Sequence, residues 1–167
     1  FISNPNNPTG TYVTKYEIEE FIKGLPENVL LVLDEAYDAF VDAKDFPRGL
    51  EYINRKNVIV LKTFSKAYGL AGLRIGYALA NQTLVSYMER ARQPFNVNAI
   101  AQVAAIAALD DRDFLMKTRK IILEGKKYLS DCLAKSGISY VKSVANFILV
   151  NVGRNGIDVF KELLKFG

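Results

Sequence analysis

The sequence has no histidine, no tryptophan and a single cysteine, Cys132. Without histidine, a Ser-His-Asp or Cys-His catalytic set within the chain is excluded, and so is any histidine-bearing metal site. A lone cysteine excludes an intramolecular disulfide and fits a reducing, cytoplasmic compartment. No apolar run approaches the roughly 18 residues that a membrane-spanning helix requires, and the first residues carry no secretory pattern. There is no compact basic run interleaved with aromatics. The formal net charge of +4 therefore reads as lysines dispersed over a solvated surface, not as a nucleic-acid footprint. What is present is a chain of 167 residues, half of them hydrophobic, which is long enough to bury a core of its own.

Residues 4–10 read Asn-Pro-Asn-Asn-Pro-Thr-Gly, in which two prolines and a glycine force a rigid turn. Thr14 followed by Glu17 forms a capping box and predicts a helix to about Lys23, stopped by Gly24-Leu25-Pro26. Val29–Leu33 and Val58–Leu61 are short, unalternating apolar runs, the pattern of strands buried on both faces. Strand, crossover, strand is α/β grammar, and ligands in such sheets sit beyond the C-terminal strand ends. Asp34 and Lys66 would both stand there. A third strand over Ile75–Leu79 comes too soon after its predecessor for a parallel crossover and is expected to run antiparallel.

Helices are expected over Thr83–Arg92, ended by Pro94, and over Ala99–Leu109, capped by Asn98. Phe114, Thr118, Ile121, Ile122, Tyr128, Leu129, Cys132 and Leu133 mark a long amphipathic helix up to Ser136-Gly137, with Cys132 on its core face. Ile138–Val141 and Phe147–Val152 read as strands, and Ile157–Lys165 as a short helix. The composition changes near Asp110-Asp111. This divides the chain into residues 1–110, a cofactor-type α/β layer, and residues 111–167, a connecting helix with a small α+β unit. The opening on Phe1 and the close in mid-helix suggest a central-to-C-terminal piece of a longer protein.

Chemistry is concentrated in two stretches. Asp34-Glu35-Ala36-Tyr37 puts an acid at the tip of a buried strand, where ionisation is costly unless the charge is paired. Taken alone, a helix cap or surface carboxylate explains it equally well. Thr63-Phe64-Ser65-Lys66, then Gly69, Gly72, Arg74 and Gly76, places a lysine at a strand end among hydroxyls, glycines and an arginine. A lysine in such a place can act as a nucleophile, and the groups around it suit a phosphate ester. Neither a dinucleotide glycine fingerprint nor a nucleotide P-loop is present.

Asn-Pro-Thr-Gly at 7–10, Asp-Glu-Ala-Tyr at 34–37 and Ser-Lys-x-x-Gly-Leu-x-Gly-x-Arg-x-Gly at 65–76, in that order, resemble the signature of the class I/II aminotransferases, pyridoxal-phosphate (PLP) enzymes of fold type I. Within that family the chain is most similar to histidinol-phosphate aminotransferases, through residues 4–10, 63–68, 93–98 and 143–147. The resemblance implies a three-layer α/β/α large domain with a mostly parallel sheet, and after it part of a small α+β domain. It also implies a homodimer acting on an amino donor and a 2-oxo acid. Lys66 would form the internal aldimine with PLP and then carry the proton between the substrate Cα and the cofactor. Asp34 would pair with the pyridine nitrogen, Tyr37 and Asn7 with the phenolic oxygen, and Arg74 with the 5′-phosphate, assisted by Thr63 and Ser65.

The implied reaction is amino transfer from histidinol phosphate to 2-oxoglutarate, a step of histidine biosynthesis. The same residues would serve an aromatic aminotransferase, a threonine-phosphate decarboxylase or a C–S lyase. A PLP-sensing transcription regulator is the reading from another class, and it would require a DNA-binding helix-turn-helix upstream of Phe1. The family's ring-stacking aromatic, earlier phosphate loop and substrate-carboxylate arginine find no match in these residues.

Overall fold

In a computed structural model that describes residues 1–166, the chain builds a four-stranded mixed sheet with helices around it. The strands are β1 (Ile2–Ser3), β2 (Leu31–Asp34), β3 (Val58–Thr63) and β4 (Gly76–Ala80), in spatial order β1-β2-β3-β4. The first three are parallel and β4 is antiparallel to β3, as its short connection requires. The helices are α1 (Lys15–Gly24), α2 (Gln82–Ala91), α3 (Ala99–Asp110), α4 (Arg112–Lys135) and α5 (Gly156–Leu163). No helix among the described residues is long and apolar enough to cross a membrane.

Local chemistry sets these boundaries. Thr14 caps α1 through the expected reciprocal bonds with Glu17, and Asn81, Asn98, Asp111 and Asn155 cap the other four helices. β2 and β3 are paired Leu31 to Val58 and Leu33 to Val60. These four side chains share one face of the sheet, where Ile18, Ile22 and Tyr52 cover them in a continuous core. Each such aliphatic burial contributes about 1.5–3 kcal/mol, and α1 is held by two of them. Val32 and Ile59 on the opposite face are buried as well, which explains the unalternating runs in the sequence. A second cluster joins Tyr37, Phe40, Ala67 and Ala145 to Leu115 and Ile122 of α4 and to Phe147.

Some expectations need correction. β2 begins at Leu31, because Val29 is held in a turn by its bond to the Pro26 carbonyl. Residues 138–141 and 147–152 do not form strands. They meet only at one antiparallel bridge, Tyr140 with Val150, supported by backbone bonds from Val141 to Leu149 and from Asn151 to Ser139. They have no sheet to join, and an apolar run without a ladder partner leaves its backbone groups unpaired. Cys132 is half-buried, not core, and α4 carries no fully buried residue.

Candidate active site

Three segments converge at the C-terminal ends of β2 and β3. The first is the turn over residues 4–10. Its anchor is Asn4, a buried polar residue whose side chain accepts from Val13 N–H (3.0 Å) and donates to the Val13 carbonyl (3.2 Å). Its own N–H donates to the Asp34 carbonyl at 2.9 Å, fixing the turn to the tip of β2. Gly10 closes the turn with φ +72°, and a Cβ there would lie 2.0 Å from Ser143 Oγ, so both conformation and space demand glycine. Val144 N–H donates to the Gly10 carbonyl at 2.8 Å, which brings residues 143–145 onto the same turn. So held, Asn7 stands exposed, and its amide donates to the Tyr37 hydroxyl at 3.0 Å.

The second segment comes directly after β2. Asp34 is half-buried, and one of its oxygens accepts Ala36 N–H at 3.1 Å. The other accepts no hydrogen bond from the described residues. Tyr37 is buried, with its ring edge-on to Phe147 at 5.1 Å between centroids. Because Tyr37 Oη accepts from Asn7, its own proton is free to be donated onward.

The third segment leaves β3. Thr63 Oγ accepts Ser65 N–H at 3.0 Å, which turns the chain toward Lys66. The Lys66 ammonium is exposed and lies 5.5 Å from the centroid of the Tyr37 ring, within cation–π range. It forms no ion pair with a carboxylate among the described residues, so its amine is not committed elsewhere. The structure thus brings Asn7, Tyr37 and Lys66 into one group, with Asp34, Thr63 and Ser65 on the adjoining strand ends. Arg74 makes no side-chain hydrogen bond to them. It sits in the left-handed region at φ 52°, exposed, with its guanidinium donating to the Ala71 carbonyl at 2.9 Å.

Beneath this group lies a cluster that motif chemistry does not single out. The Lys62 ammonium bonds the carboxylates of Glu35 and Asp38, at 2.5 Å to the latter. Glu35 also accepts Gly49 N–H at 2.7 Å. Burial pushes the Glu35 carboxyl above its ordinary value, against the opposing pull of Lys62. Burial works to lower the Lys62 value too, but the carboxylates of Asp38 and Glu35 outweigh it and hold the ammonium above the ordinary lysine range. Strand alternation carried the signal: Lys62 continues the Val58–Val60 face, and Glu35 comes two residues after Leu33 on the neighbouring strand. No group of acidic or thiol side chains that could hold a metal ion occurs among the described residues.

The family model for aminotransferase class I and II matches residues 1–165. The chain belongs to this family. Among curated relatives, histidinol-phosphate aminotransferase 2 of Carboxydothermus hydrogenoformans is 49% identical over 169 residues, covering 100% of this chain and 47% of that protein. The histidinol-phosphate aminotransferase of Moorella thermoacetica is 48% identical, covering 100% of this chain and 44% of the relative. The chain therefore spans about half the length of the curated relatives it matches. A solved structure, histidinol-phosphate aminotransferase from Sinorhizobium meliloti in complex with pyridoxal-5′-phosphate, superposes with a TM-score of 0.85 at 38% identity, over 92% of this chain and 42% of that one. The α/β architecture with its mostly parallel sheet is the one these class I/II aminotransferases share.

Proposed function

We propose that this chain is the lysine-bearing central-to-C-terminal portion of a histidinol-phosphate aminotransferase that uses PLP. The observation that carries this reading is the grouping of an uncommitted lysine amine, Lys66, with the Asn7–Tyr37 hydroxyl pair at the strand ends. Relatives named for that activity, 44–49% identical along the whole chain, support it. The residues fit the cofactor. Lys66 is free for its aldehyde, the Tyr37 proton and the Asn7 amide are available to an oxygen, and Asp34 has an open carboxylate oxygen. When bound, PLP supplies the electron sink that allows an amino acid Cα–H bond to break.

The chain's own side chains do the rest. Lys66 Nζ would hold the cofactor and carry the proton taken from the substrate carbon. Asp34, with its open carboxylate oxygen, would pair with the pyridine nitrogen and keep a proton on it. Tyr37 and Asn7 would donate to the phenolic oxygen. Thr63, Ser65 and Arg74 would hold the phosphate, for which the planar guanidinium fork of Arg74 is better suited than a lysine.

Histidinol phosphate would be the amino donor and 2-oxoglutarate the acceptor. Residues 1–110 would belong to the large domain and 111–167 to the connecting helix and small domain of a cytoplasmic homodimer. The test is turnover by the full-length protein. Glutamate formation from histidinol phosphate and 2-oxoglutarate, abolished in Lys66→Ala, is expected. Preference for aromatic amino acids, or release of carbon dioxide, would reject the substrate assignment.

A further inference from the structure

Lys62 is an unusual residue for the inner face of a strand. Its side chain is 12% exposed, and that of its partner Glu35 is 2% exposed. Two buried charges of opposite sign offset their desolvation only when the geometry is good and the remaining polar atoms are satisfied. Here they are: the ammonium meets Glu35 and Asp38, and the second Glu35 oxygen takes Gly49 N–H. The cluster also has a defined place. Asp34 and Thr63 lie on one face of the β2–β3 pair, while Glu35 and Lys62 lie on the other, one residue along. Glu35 precedes the Ala36-Tyr37 step, and Asp38 comes directly after Tyr37. Glu35 N–H continues the parallel ladder by donating to the Leu61 carbonyl at 3.0 Å. From β4, Tyr77 is the register partner of Lys62.

We infer that Lys62 is a positioning residue for the cofactor site: one ammonium on β3 grips both carboxylates that bracket Ala36-Tyr37, and so sets Asp34 and Tyr37 against Lys66. This inference rests on the proposed PLP reading. Lys62 touches neither cofactor nor substrate. It acts by holding the turn after β2 against the strand that leads to Lys66. Without it, Glu35 and Asp38 repel each other and the turn opens, carrying the Tyr37 hydroxyl away from Asn7 and from the phenolic oxygen. Hydrogen bonds donated to an oxygen favour its charged form. Their loss therefore raises the pH at which the absorbance of the lysine-bound cofactor titrates.

The experiment is a pH titration of that absorbance, with PLP affinity measured alongside, in the full-length holoenzyme and in Lys62→Met. We expect an upward shift of about one pH unit, equivalent to a tenfold change in the proton equilibrium, together with weaker PLP binding. Should Lys62→Met fail to fold, the double variant Glu35→Gln/Lys62→Met, which removes the bridge together with one of the repelling carboxylates, is read in its place, with a smaller upward shift expected. Asp38→Asn, which leaves the Glu35 bond intact, should give a smaller shift in the same direction. An unshifted titration in the folded variant overturns the inference and leaves the PLP reading standing. A wild-type holoenzyme that never develops the absorbance overturns both.

Discussion

At the residue scale, function depends on which groups are left free. Tyr37 accepts from Asn7 and keeps a proton to donate, Asp34 keeps one oxygen open, and the Lys66 amine has no carboxylate partner among the described residues. Asp34→Asn in the full-length enzyme should lower turnover by about 10²–10³-fold, the scale of losing one preorganised charge, with substrate KM changing little; steady-state kinetics would show the split. Glu35 and Lys62 give a pH prediction for stability. Both groups have folded values above their ordinary ones. For Glu35, the folded state binds more protons between the two values, so its contribution is complete below the ordinary glutamate pKa and falls as pH rises through the folded one. For Lys62 the same sign applies at alkaline pH. Denaturant unfolding of Glu35→Gln should therefore show a shallower loss of stability than wild type from mildly acidic to neutral pH. Parallel curves would contradict it. The catalytic candidates were legible because motif chemistry names them; for the Lys62 cluster, strand alternation puts Lys62 and Glu35 on one face, but only the β2–β3 register shows that they meet.

At the element scale, caps and buried runs decided most boundaries. The Thr14–Glu17 box starts α1 as the sequence implies, and Asn98 starts α3. Thr14→Ala should cost about 1 kcal/mol, read as a lower melting temperature with unchanged cofactor binding. Ile18→Ala, which opens a hole beneath Leu31 and Val58, should cost about 2–5 kcal/mol. The antiparallel sense of β4 was set by connection length alone. β1 was missed because two residues, Ile2–Ser3, offer no periodicity. Residues 138–141 and 147–152 misled for the opposite reason: they are apolar and β-branched, yet among the described residues their only ladder partner is each other. Apolar pattern reports burial; a ladder needs a neighbour as well.

At the scale of the whole molecule, the segment beyond α4 packs Ala145 and Phe147 against Tyr37 and also reaches the turn at 4–10. The turn at 4–10 receives Val144 through the Gly10 carbonyl, and Ser143 sits where any Gly10 side chain would go. Gly10→Ala should separate these segments and, through Asn7, disturb Tyr37, so that a fall in PLP affinity accompanies the loss of stability in a thermal shift with and without cofactor. Ile100, Val103 and Ile106 of α3 and Phe114, Ile121 and Tyr128 of α4 are exposed in this chain, which matches about half of its relatives' length. On the proposed reading, the isolated chain should turn over far more slowly than the full-length protein. The fold class was legible from the order of buried runs and the spacing between them.

The most direct test of the central claim is an absorbance spectrum of the full-length protein with added PLP, beside that of Lys66→Ala. With Lys66 holding the cofactor, the wild type develops a band near the visible edge that is removed by borohydride reduction and is absent from the variant. An identical band in Lys66→Ala, or none in the wild type, would contradict the assignment of Lys66 as the residue that holds the cofactor.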